Sequence, residues 1–163
     1  NPKFFQSLEK ELAKAQRILS RRTKGGSNWN KQRIKVAKIH EKIANCRTDY
    51  LQKLSTEIVK NHDIIGMEDL KVKKMQQEKD LAKGISEVSW YQFRTMIGYK
   101  AEWYGKKLVL VNPSHTSQRC NHCGHTEKSN RVSQSKFVCK SCGHTDNADI
   151  NASKNIELLA LAN

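Results

Sequence analysis

Two Cys-x-x-Cys motifs constrain the fold of this chain more than any other feature of its sequence. Cys120-Asn-His-Cys123 and Cys139-Lys-Ser-Cys142 are separated by fifteen residues. Two such pairs at this spacing are typical of a zinc ribbon, in which four thiolates hold one tetrahedral ion. Four thiolates leave no open position, so the zinc would be structural and would not activate water. Two disulfides or a thioredoxin-like redox pair are the alternatives.

The residues around these motifs also fit a metal-binding turn. Gly124 and Gly143 each follow a second cysteine, where the turn needs a residue that tolerates positive φ. His122, His125 and His144 could replace a cysteine as ligand. Because four cysteines already complete the coordination, we expect these histidines to be surface residues.

A helix is predicted over about residues 148–161, directly after the second motif. Its apolar positions are Ile150, Ile156, Leu159 and Leu161. Asp149 falls in the first turn, where a carboxylate can serve simply as a cap or offset the helix dipole. Asp146 or Asn147 could cap the helix as well, so a capping role and a catalytic role both remain open for Asp149 at this point.

The overall charge favours a polyanionic partner. The chain has 30 Lys and Arg against 16 Asp and Glu, a formal net charge of +14, and nucleic acid is the usual partner of such a protein. No apolar segment is long enough to span a membrane, and the first twenty residues lack the apolar centre of a signal peptide. Zinc-binding cysteines, with Cys46 in a helical context, fit a reducing, cytoplasmic location.

The first sixty residues predict a helical hairpin. Residues 3–22 carry apolar side chains at helical spacing, residues 25–27 break the helix, and a second helix runs from about 28 to 60 with Cys46 on its apolar stripe. Basic residues are concentrated near the turn between the two helices. They could contact nucleic-acid phosphates, or they could simply form a solvent-exposed helical face. They are Arg17, Arg21, Arg22, Lys24, Lys31, Arg33, Lys35 and Lys38.

An α/β unit is predicted to follow. Residues 63–67 and 108–111 read as buried strands, and a helix capped by Ser89 lies between them, an order that implies parallel neighbours. Glu68 either lies at the carboxyl edge of the first strand, where open sheets place ligands, or begins a polar loop. Residues 71–88, with several lysines, are predicted to form a mobile loop.

Aromatic residues recur at helical spacing between the two strands. Trp90, Phe93, Ile97 and Tyr104 share one face, with Trp103 beside it. Such a stripe is more often core than a base-stacking platform, so we expect it to pack against the sheet.

The predicted organisation is a basic helical hairpin at 1–60, an α/β core at 61–114, a zinc ribbon at 115–146 and a final helix at 147–163 that completes the core. Two strands alone do not make a stable sheet. Because the sequence starts within a helix and without methionine, we expect further strands to precede residue 1.

The ordered motifs of this chain resemble the C-terminal part of the TnpB (OrfB) proteins, transposon-encoded RNA-guided DNA endonucleases related to type V CRISPR effectors. The resemblance covers nearly the whole chain. The matching segments are Leu54-Ser-Thr-Glu-Ile-Val, Ile64-Ile-Gly-Met-Glu-Asp-Leu, Ser89-Trp-Tyr-Gln-Phe-Arg, Tyr99-Lys-Ala-Glu-Trp-Tyr-Gly, Ser117-Gln-Arg-Cys-Asn-His-Cys-Gly and Asp149-Ile-Asn-Ala-Ser-Lys-Asn-Ile.

The resemblance implies a partial RuvC-like, ribonuclease-H-type domain with an inserted helical hairpin, and metal-dependent cleavage of DNA with a guide RNA. Three acidic residues hold the catalytic Mg²⁺ or Mn²⁺ in that family, and two of them match Glu68 and Asp149. The third belongs to a strand before the hairpin and has no match here, so we expect the chain alone to be inactive. Asp63, Asp69 and Asp146 are poor substitutes, because none lies on a preceding strand.

Phosphodiester hydrolysis explains why carboxylates would be used. Two divalent ions about 4 Å apart can stabilise both the attacking and the leaving oxygen, and hard ions prefer carboxylate ligands. Two other functions remain open: a non-cleaving zinc-ribbon protein that binds nucleic acid, and a ribbon component of a translation or transcription assembly. The presence of both Glu68 and Asp149 speaks against the first, and the second leaves the segments around these residues to coincidence.

Overall fold

The computed structural model describes residues 3–70 and 87–162. Its helices and strands are α1 (Lys3–Ser20), α2 (Ser27–Asn61), β1 (Ile64–Glu68), α3 (Glu87–Trp103), β2 (Lys107–Val111), β3 (Lys136–Val138), β4 (Thr145–Asn147) and α4 (Ala148–Leu161), with a 3₁₀ turn at Lys128–Asn130. Packing divides the chain into two units, one up to Leu54 and one from Ser55 onward.

The first unit contains α1 and most of α2, which begin and end close to the predicted residues. Leu8 and Ala15, two helical turns apart, are buried on α1. Gly25 takes a φ of 85° in the connecting turn, a conformation that favours glycine. The Gln32 side chain donates a hydrogen bond to the Ala15 carbonyl at 3.0 Å, which joins the two helices beyond the turn.

A parallel pair of strands is the centre of the second unit, as the sequence predicts. β1 and β2 pair in register from Ile64 opposite Lys107 to Glu68 opposite Val111. Glu68 is therefore the last residue of a strand and does not begin a loop. The predicted loop at 71–88 lies outside the described residues except for its last two positions, which belong to α3.

One face of this sheet packs against α3 and the end of α2. Ile65 and Met67 from β1 are buried with Val59 and Ile97, and Trp90 and Phe93 pack against this cluster. The prediction that Trp90, Phe93 and Ile97 form core is thus confirmed.

The end of α3 differs from the prediction. Trp103 is its last residue and is 76% exposed, and Tyr104 lies beyond it and is exposed as well. Gly105, with a φ of 63°, turns the chain at this point, so these two rings leave the helical stripe. The predicted cap at Ser89 is also wrong, because α3 begins at Glu87.

The opposite face of the sheet packs against α4. Val109, Val111 and Ala160 form a buried cluster, with Ile156 and Leu159 beside it. Ile150 and Leu161, which we expected on the apolar face of α4, are exposed. A Cβ added to Gly66 in β1 would lie 2.8 Å from the Ala160 Cβ, so glycine permits the close approach of strand and helix.

Candidate functional site

The four cysteines of the two motifs come together at one point. Their sulfur atoms all lie within 4.8 Å of one another. Cys120 Sγ is 3.8 Å from Cys142 Sγ, and Cys123 Sγ is 3.6 Å from Cys139 Sγ. Zinc–sulfur bonds of about 2.3 Å give tetrahedral edges of about 3.8 Å, so the arrangement fits a tetrahedral metal ion and not a pair of disulfides.

Backbone hydrogen bonds shape both cysteine turns in the same way. Cys120 N–H donates to the His125 carbonyl at 2.9 Å, and Cys139 N–H donates to the His144 carbonyl at 2.8 Å. Gly124 and Gly143 have φ values of 78° and 73°, as predicted. Donation from the Cys142 N–H is the largest cause that lowers the pKa of the Cys139 thiol to about 6, which favours the thiolate that a metal needs.

The ribbon is attached to α4 by a small core of its own. Cys120, Phe137, Cys139 and Ala148 are buried together. Since Ala148 is the first residue of α4, the cysteine cluster lies directly against the start of that helix.

Buried asparagines complete this attachment. Asn155 Nδ2 donates to the carbonyls of Thr116 and Arg119, at 2.9 and 2.7 Å. Asn151 Nδ2 donates to the same Arg119 carbonyl at 2.8 Å, and its oxygen accepts from Asn121 N–H at 3.0 Å. The segment between β2 and the first cysteine is therefore held along one face of α4.

Glu68 lies at the carboxyl end of β1 and is half-buried. Thr116 Oγ1 donates a hydrogen bond to Glu68 Oε1 at 2.5 Å. Residues alternate along a strand, and Gly66 faces α4 whereas Ile65 and Met67 face α3. Glu68 therefore projects from the face of the sheet that α4 covers.

Asp149 lies in the first turn of α4 and is 77% exposed. Its backbone N–H is capped by the side chain of Asn147, which accepts at 2.9 Å, so Asp149 itself is not the cap. Its carboxylate pairs with the Arg131 guanidinium of the ribbon, at 3.3 Å between Oδ1 and Nη2.

The packing of α4 brings Glu68 and Asp149 to the same end and face of the sheet. Ala160 lies over Gly66, and Asn155 lies beside Thr116 at the carboxyl edge, so α4 runs antiparallel to the strands. Ile156 also faces Gly66, and Asp149 lies seven residues before it, which is about two helical turns. Asp149 therefore lies on the same side of α4 as Ile156, about 10 Å nearer the carboxyl edge of the sheet. Glu68 is about 7 Å beyond Gly66 in the same direction.

The predicted basic patch lies in the first unit. Each of its residues near the turn is exposed: Arg21, Arg22, Lys24, Lys31, Arg33, Lys35 and Lys38. The Arg33 guanidinium lies 6.0 Å from the centre of the Trp29 ring. Lysines at 71–83 lie outside the described residues. Of the three histidines near the ribbon, His122 is exposed and the other two are half-buried.

The sequence reasoning missed several residues that hold the site together. Thr116, Asn130, Asn151 and Asn155 are buried polar side chains, and Arg131 is the ion-pair partner of Asp149. Thr116 precedes the first cysteine motif, and Asn151 and Asn155 fall within the segment that begins at Asp149. Asn130 and Arg131 lie between the two motifs, and position was the only sequence signal of all five residues.

Two family models match the chain. The model described as "Probable transposase" (OrfB_IS605) matches residues 1–79, and the model described as "Cas12f1-like, TNB domain" matches residues 90–156. Together the two models match residues in both units of the structure.

Similar proteins carry consistent names. The chain is 44% identical to the "Putative RNA-guided DNA endonuclease InsQ" of Escherichia coli, over 93% of the chain and 42% of that protein. It is 32% identical to a "CRISPR-associated endodeoxyribonuclease Cas12f1" of Sulfoacidibacillus thermotolerans, over 83% of the chain and 32% of that protein. The chain thus spans less than half the length of these relatives.

Solved structures show the same fold. The chain aligns with "CRISPR-Cas12f Ternary Complex" at a TM-score of 0.67 and 24% identity, covering 96% of this chain and 33% of that chain. It aligns with a "Cas12f1-sgRNA-target DNA complex" at 0.65 and 22% identity, covering 92% and 40%. Within the described part of the chain, no helix has the length and apolar character needed to cross a membrane.

Proposed function

Because the chain belongs to the OrfB family of probable transposases, we propose that it is part of an RNA-guided DNA endonuclease that hydrolyses phosphodiester bonds at a RuvC-like, metal-dependent site. Glu68 and Asp149 are the two catalytic carboxylates of that site which this chain supplies. Its partners are DNA and a guide RNA, in keeping with the names of its relatives.

The observation that carries the proposal is the packing of α4 on β1. Glu68 ends β1 and Asp149 lies in the first turn of α4, eighty-one positions later in the sequence. The packing of α4 places both residues at the carboxyl edge of the parallel sheet and on the same face of it. The carboxyl edge is where open α/β sheets bind their ligands. This placement supports Glu68 and Asp149 as ligands of one metal site.

The two side chains also have suitable chemistry for Mg²⁺ or Mn²⁺. Among residues 3–70 and 87–162, Thr116 is the side-chain partner of Glu68, and it occupies one carboxylate oxygen and leaves the other for a ligand. Asp149 is largely exposed and would exchange its contact with Arg131 for a cation and a phosphate. Bound divalent ions would stabilise negative charge on the attacking and leaving oxygens. A third carboxylate, which the family resemblance assigns to an earlier strand, has no match in this sequence.

The four cysteines would hold a structural zinc ion in this proposal. Their sulfur geometry fits four-thiolate coordination, which leaves no position for water or substrate. The role of the ion is mechanical: it fixes the ribbon, whose core includes the first residue of α4 and thus the position of Asp149.

The basic residues near the α1–α2 turn are proposed to contact the nucleic-acid backbone. Exposed lysine and arginine side chains bind phosphates without reading sequence. Arg131 in the ribbon pairs with Asp149 and would contact the phosphate that reacts.

Substitution of the carboxylates tests the proposal. In a protein of the relatives' full length that contains this chain, with its guide RNA, Glu68→Ala or Asp149→Ala should reduce cleavage by more than about 100-fold, since even indirect support of a metal ligand is worth 10–100-fold. Target binding should change by less than about 3-fold. Cleavage by a gel assay and binding by filter retention measure the two effects.

Asp69→Ala is the matched control, because Asp69 neighbours Glu68 but pairs with Arg94 at 2.7 Å. It should cut normally. If the Glu68 and Asp149 variants lose binding and cleavage equally, these residues are structural. If both variants cut like the wild type, Glu68 and Asp149 are not catalytic. If the full-length protein itself does not cut, a non-cleaving zinc-ribbon binder is the function that remains. The 163-residue chain alone should show weak or no cleavage with Mg²⁺ or Mn²⁺.

A further inference from the structure

We propose that Thr116 is a positioning residue for the metal-binding carboxylate of Glu68, and that it connects this carboxylate to the zinc ribbon. The inference rests on the proposed function, because it assumes that Glu68 binds a divalent cation. It concerns a residue that belongs neither to the cysteine cluster nor to the acidic residues.

The first step is the contact itself. Thr116 Oγ1 donates to Glu68 Oε1 at 2.5 Å, across forty-eight residues of sequence. The threonine is 4% exposed, so the donor is shielded from water, whereas the acceptor Glu68 is half-buried. A glutamate has three rotatable bonds, and a buried donor of fixed position restricts the directions in which its carboxylate can point.

The second step is the way in which the threonine is itself held. Its backbone carbonyl accepts from Asn155 Nδ2 at 2.9 Å, and the same amide group donates to the Arg119 carbonyl at 2.7 Å. Asn155 is 2% exposed and lies on α4, the helix that carries Asp149. One helix therefore sets both carboxylates: Asp149 directly, and Glu68 through Asn155 and Thr116.

The third step concerns the single hydroxyl proton. Thr116 Oγ1 also lies 3.1 Å from the Pro113 carbonyl, which belongs to the same turn. The proton can be donated to one acceptor at a time, and the shorter contact is the one to Glu68. The Pro113 carbonyl is therefore a competing acceptor within the same turn, and the shorter contact makes Glu68 the favoured one.

Hydrogen bonds to a metal-ligating carboxylate orient it, and their loss typically weakens metal affinity or activity 10–100-fold. Thr116 lies four residues before Cys120, so the ribbon and the carboxylate share one short tether. A disturbance of the ribbon would consequently reach Glu68 through this tether.

The test uses a full-length protein that contains this chain, with guide RNA, and compares three variants. Thr116→Val removes the hydroxyl at nearly constant volume, whereas Thr116→Ser retains it. Thr126→Val is the matched control, because among the described residues the Thr126 hydroxyl donates only to the nearby Gly124 carbonyl of the same ribbon, at 3.3 Å. Mn²⁺ binding by electron paramagnetic resonance and cleavage against Mn²⁺ concentration are measured for each.

We expect Thr116→Val to raise the half-saturating Mn²⁺ concentration by about 10–100-fold in both measurements. Thr116→Ser should remain within about 3-fold of the wild type, as should Thr126→Val. Zinc content and target binding should stay unchanged, which separates positioning from unfolding. If Thr116→Val loses zinc, Thr116→Ala, which removes the same hydroxyl with less bulk in a tight turn, takes its place.

Three results would overturn the inference. Thr116→Val could bind Mn²⁺ with wild-type affinity, or it could lose cleavage while its Mn²⁺ affinity is unchanged. Thr116→Ser could also fail to restore the Mn²⁺ affinity that Thr116→Val loses. If Glu68→Ala abolishes cleavage while Thr116→Val leaves the half-saturating Mn²⁺ concentration unchanged, the inference fails and the proposed function stands. If Glu68→Ala cuts normally, the proposed function fails first, and the role of Thr116 with it.

Discussion

At the scale of single residues, buried amides hold the ribbon together and join it to α4. Asn130 and Asn151 are fully buried and Asn155 nearly so. Asn130 Nδ2 donates to the Gln118 carbonyl at 3.0 Å, and its oxygen accepts from Lys140 N–H at 2.9 Å. A buried amide is costly unless it is hydrogen-bonded, so these residues favour one arrangement of the backbone segments that they contact.

The close approach of β1 and α4 at Gly66 leads to a prediction at the same scale. Gly66→Ala should destabilise the second unit by about 1–3 kcal/mol, because the new methyl group would lie 2.8 Å from the Ala160 Cβ. The helix that carries Asp149 would have to move away from the strand that carries Glu68. Urea denaturation measures the free energy of unfolding.

Gly98→Ala is the control for that substitution. Gly98 lies within α3, and a Cβ there would make an ordinary contact of 3.7 Å with Leu108. This variant should be more stable than the wild type by up to about 1 kcal/mol, because alanine favours the helix more than glycine does. Equal destabilisation by both variants would show that the approach at Gly66 is not tight.

At the scale of elements, local patterns predicted most of the helices and strands. α1, α2, both strands of the parallel sheet and α4 occur within a few residues of their predicted bounds, because periodicity and glycine breaks are properties of short segments. The ends of α3 were predicted less well. Ser89 and Tyr104 fitted the pattern, but the neighbouring turn at Gly105 and an earlier helix start decide where the helix lies.

The candidate site depends on contacts that no local pattern contains. The cysteine cluster was predictable because two pairs with fixed spacing can hold one ion. Thr116 and Asn155 were missed because threonine and asparagine are more often exposed than buried. The contact between Thr116 and Glu68 also spans forty-eight residues of sequence. Family resemblance suggested Glu68 and Asp149, and the packing of α4 on β1 brings them to one edge of the sheet.

The ribbon has a small core, and this gives a prediction about metal removal. A strong chelator should abolish protection from hydrogen exchange at the Cys120, Gly124, Cys139 and Gly143 amides, whose hydrogen bonds shape the two cysteine turns. Structural zinc contributes folding energy directly, so the ribbon should unfold without it. Amides of β1 and β2 should exchange much less, because their core lies against α3 and α4.

Two cysteine substitutions, one inside the cluster and one outside it, provide the control for metal removal. Cys123→Ser should lower the zinc content from about one ion per chain to near zero, because four-thiolate coordination needs every ligand. Cys46→Ser changes a cysteine of α2 that lies outside the cluster and should keep its zinc. Zinc loss in the Cys46 variant, or a protected ribbon after chelation, would contradict a structural metal centre.

At the scale of the whole molecule, the distribution of charge matters more than its total. The formal net charge is +14, and several lysines are already neutralised locally. Lys53, Lys106 and Lys154 each pair with an aspartate, at 2.7, 2.5 and 2.8 Å. Among the described residues, Arg21 and Lys24 make no such ion pair, so the cations near the α1–α2 turn remain available to phosphate.

Replacing Arg21, Arg22 and Lys24 by glutamine should therefore weaken binding to single-stranded RNA and reduce its salt dependence. Each phosphate contact adds about 0.7 to the slope of log affinity against log salt, so three lost contacts should reduce the slope by about 2. The control replaces Lys53, Lys106 and Lys154 by glutamine. Both variants carry a net charge of +11, that is +14 minus 3. Fluorescence titrations at several KCl concentrations would give the slopes. A reduction confined to the first variant assigns the contacts to the turn, whereas equal reductions would mean that RNA responds only to total charge and that the patch has no special role.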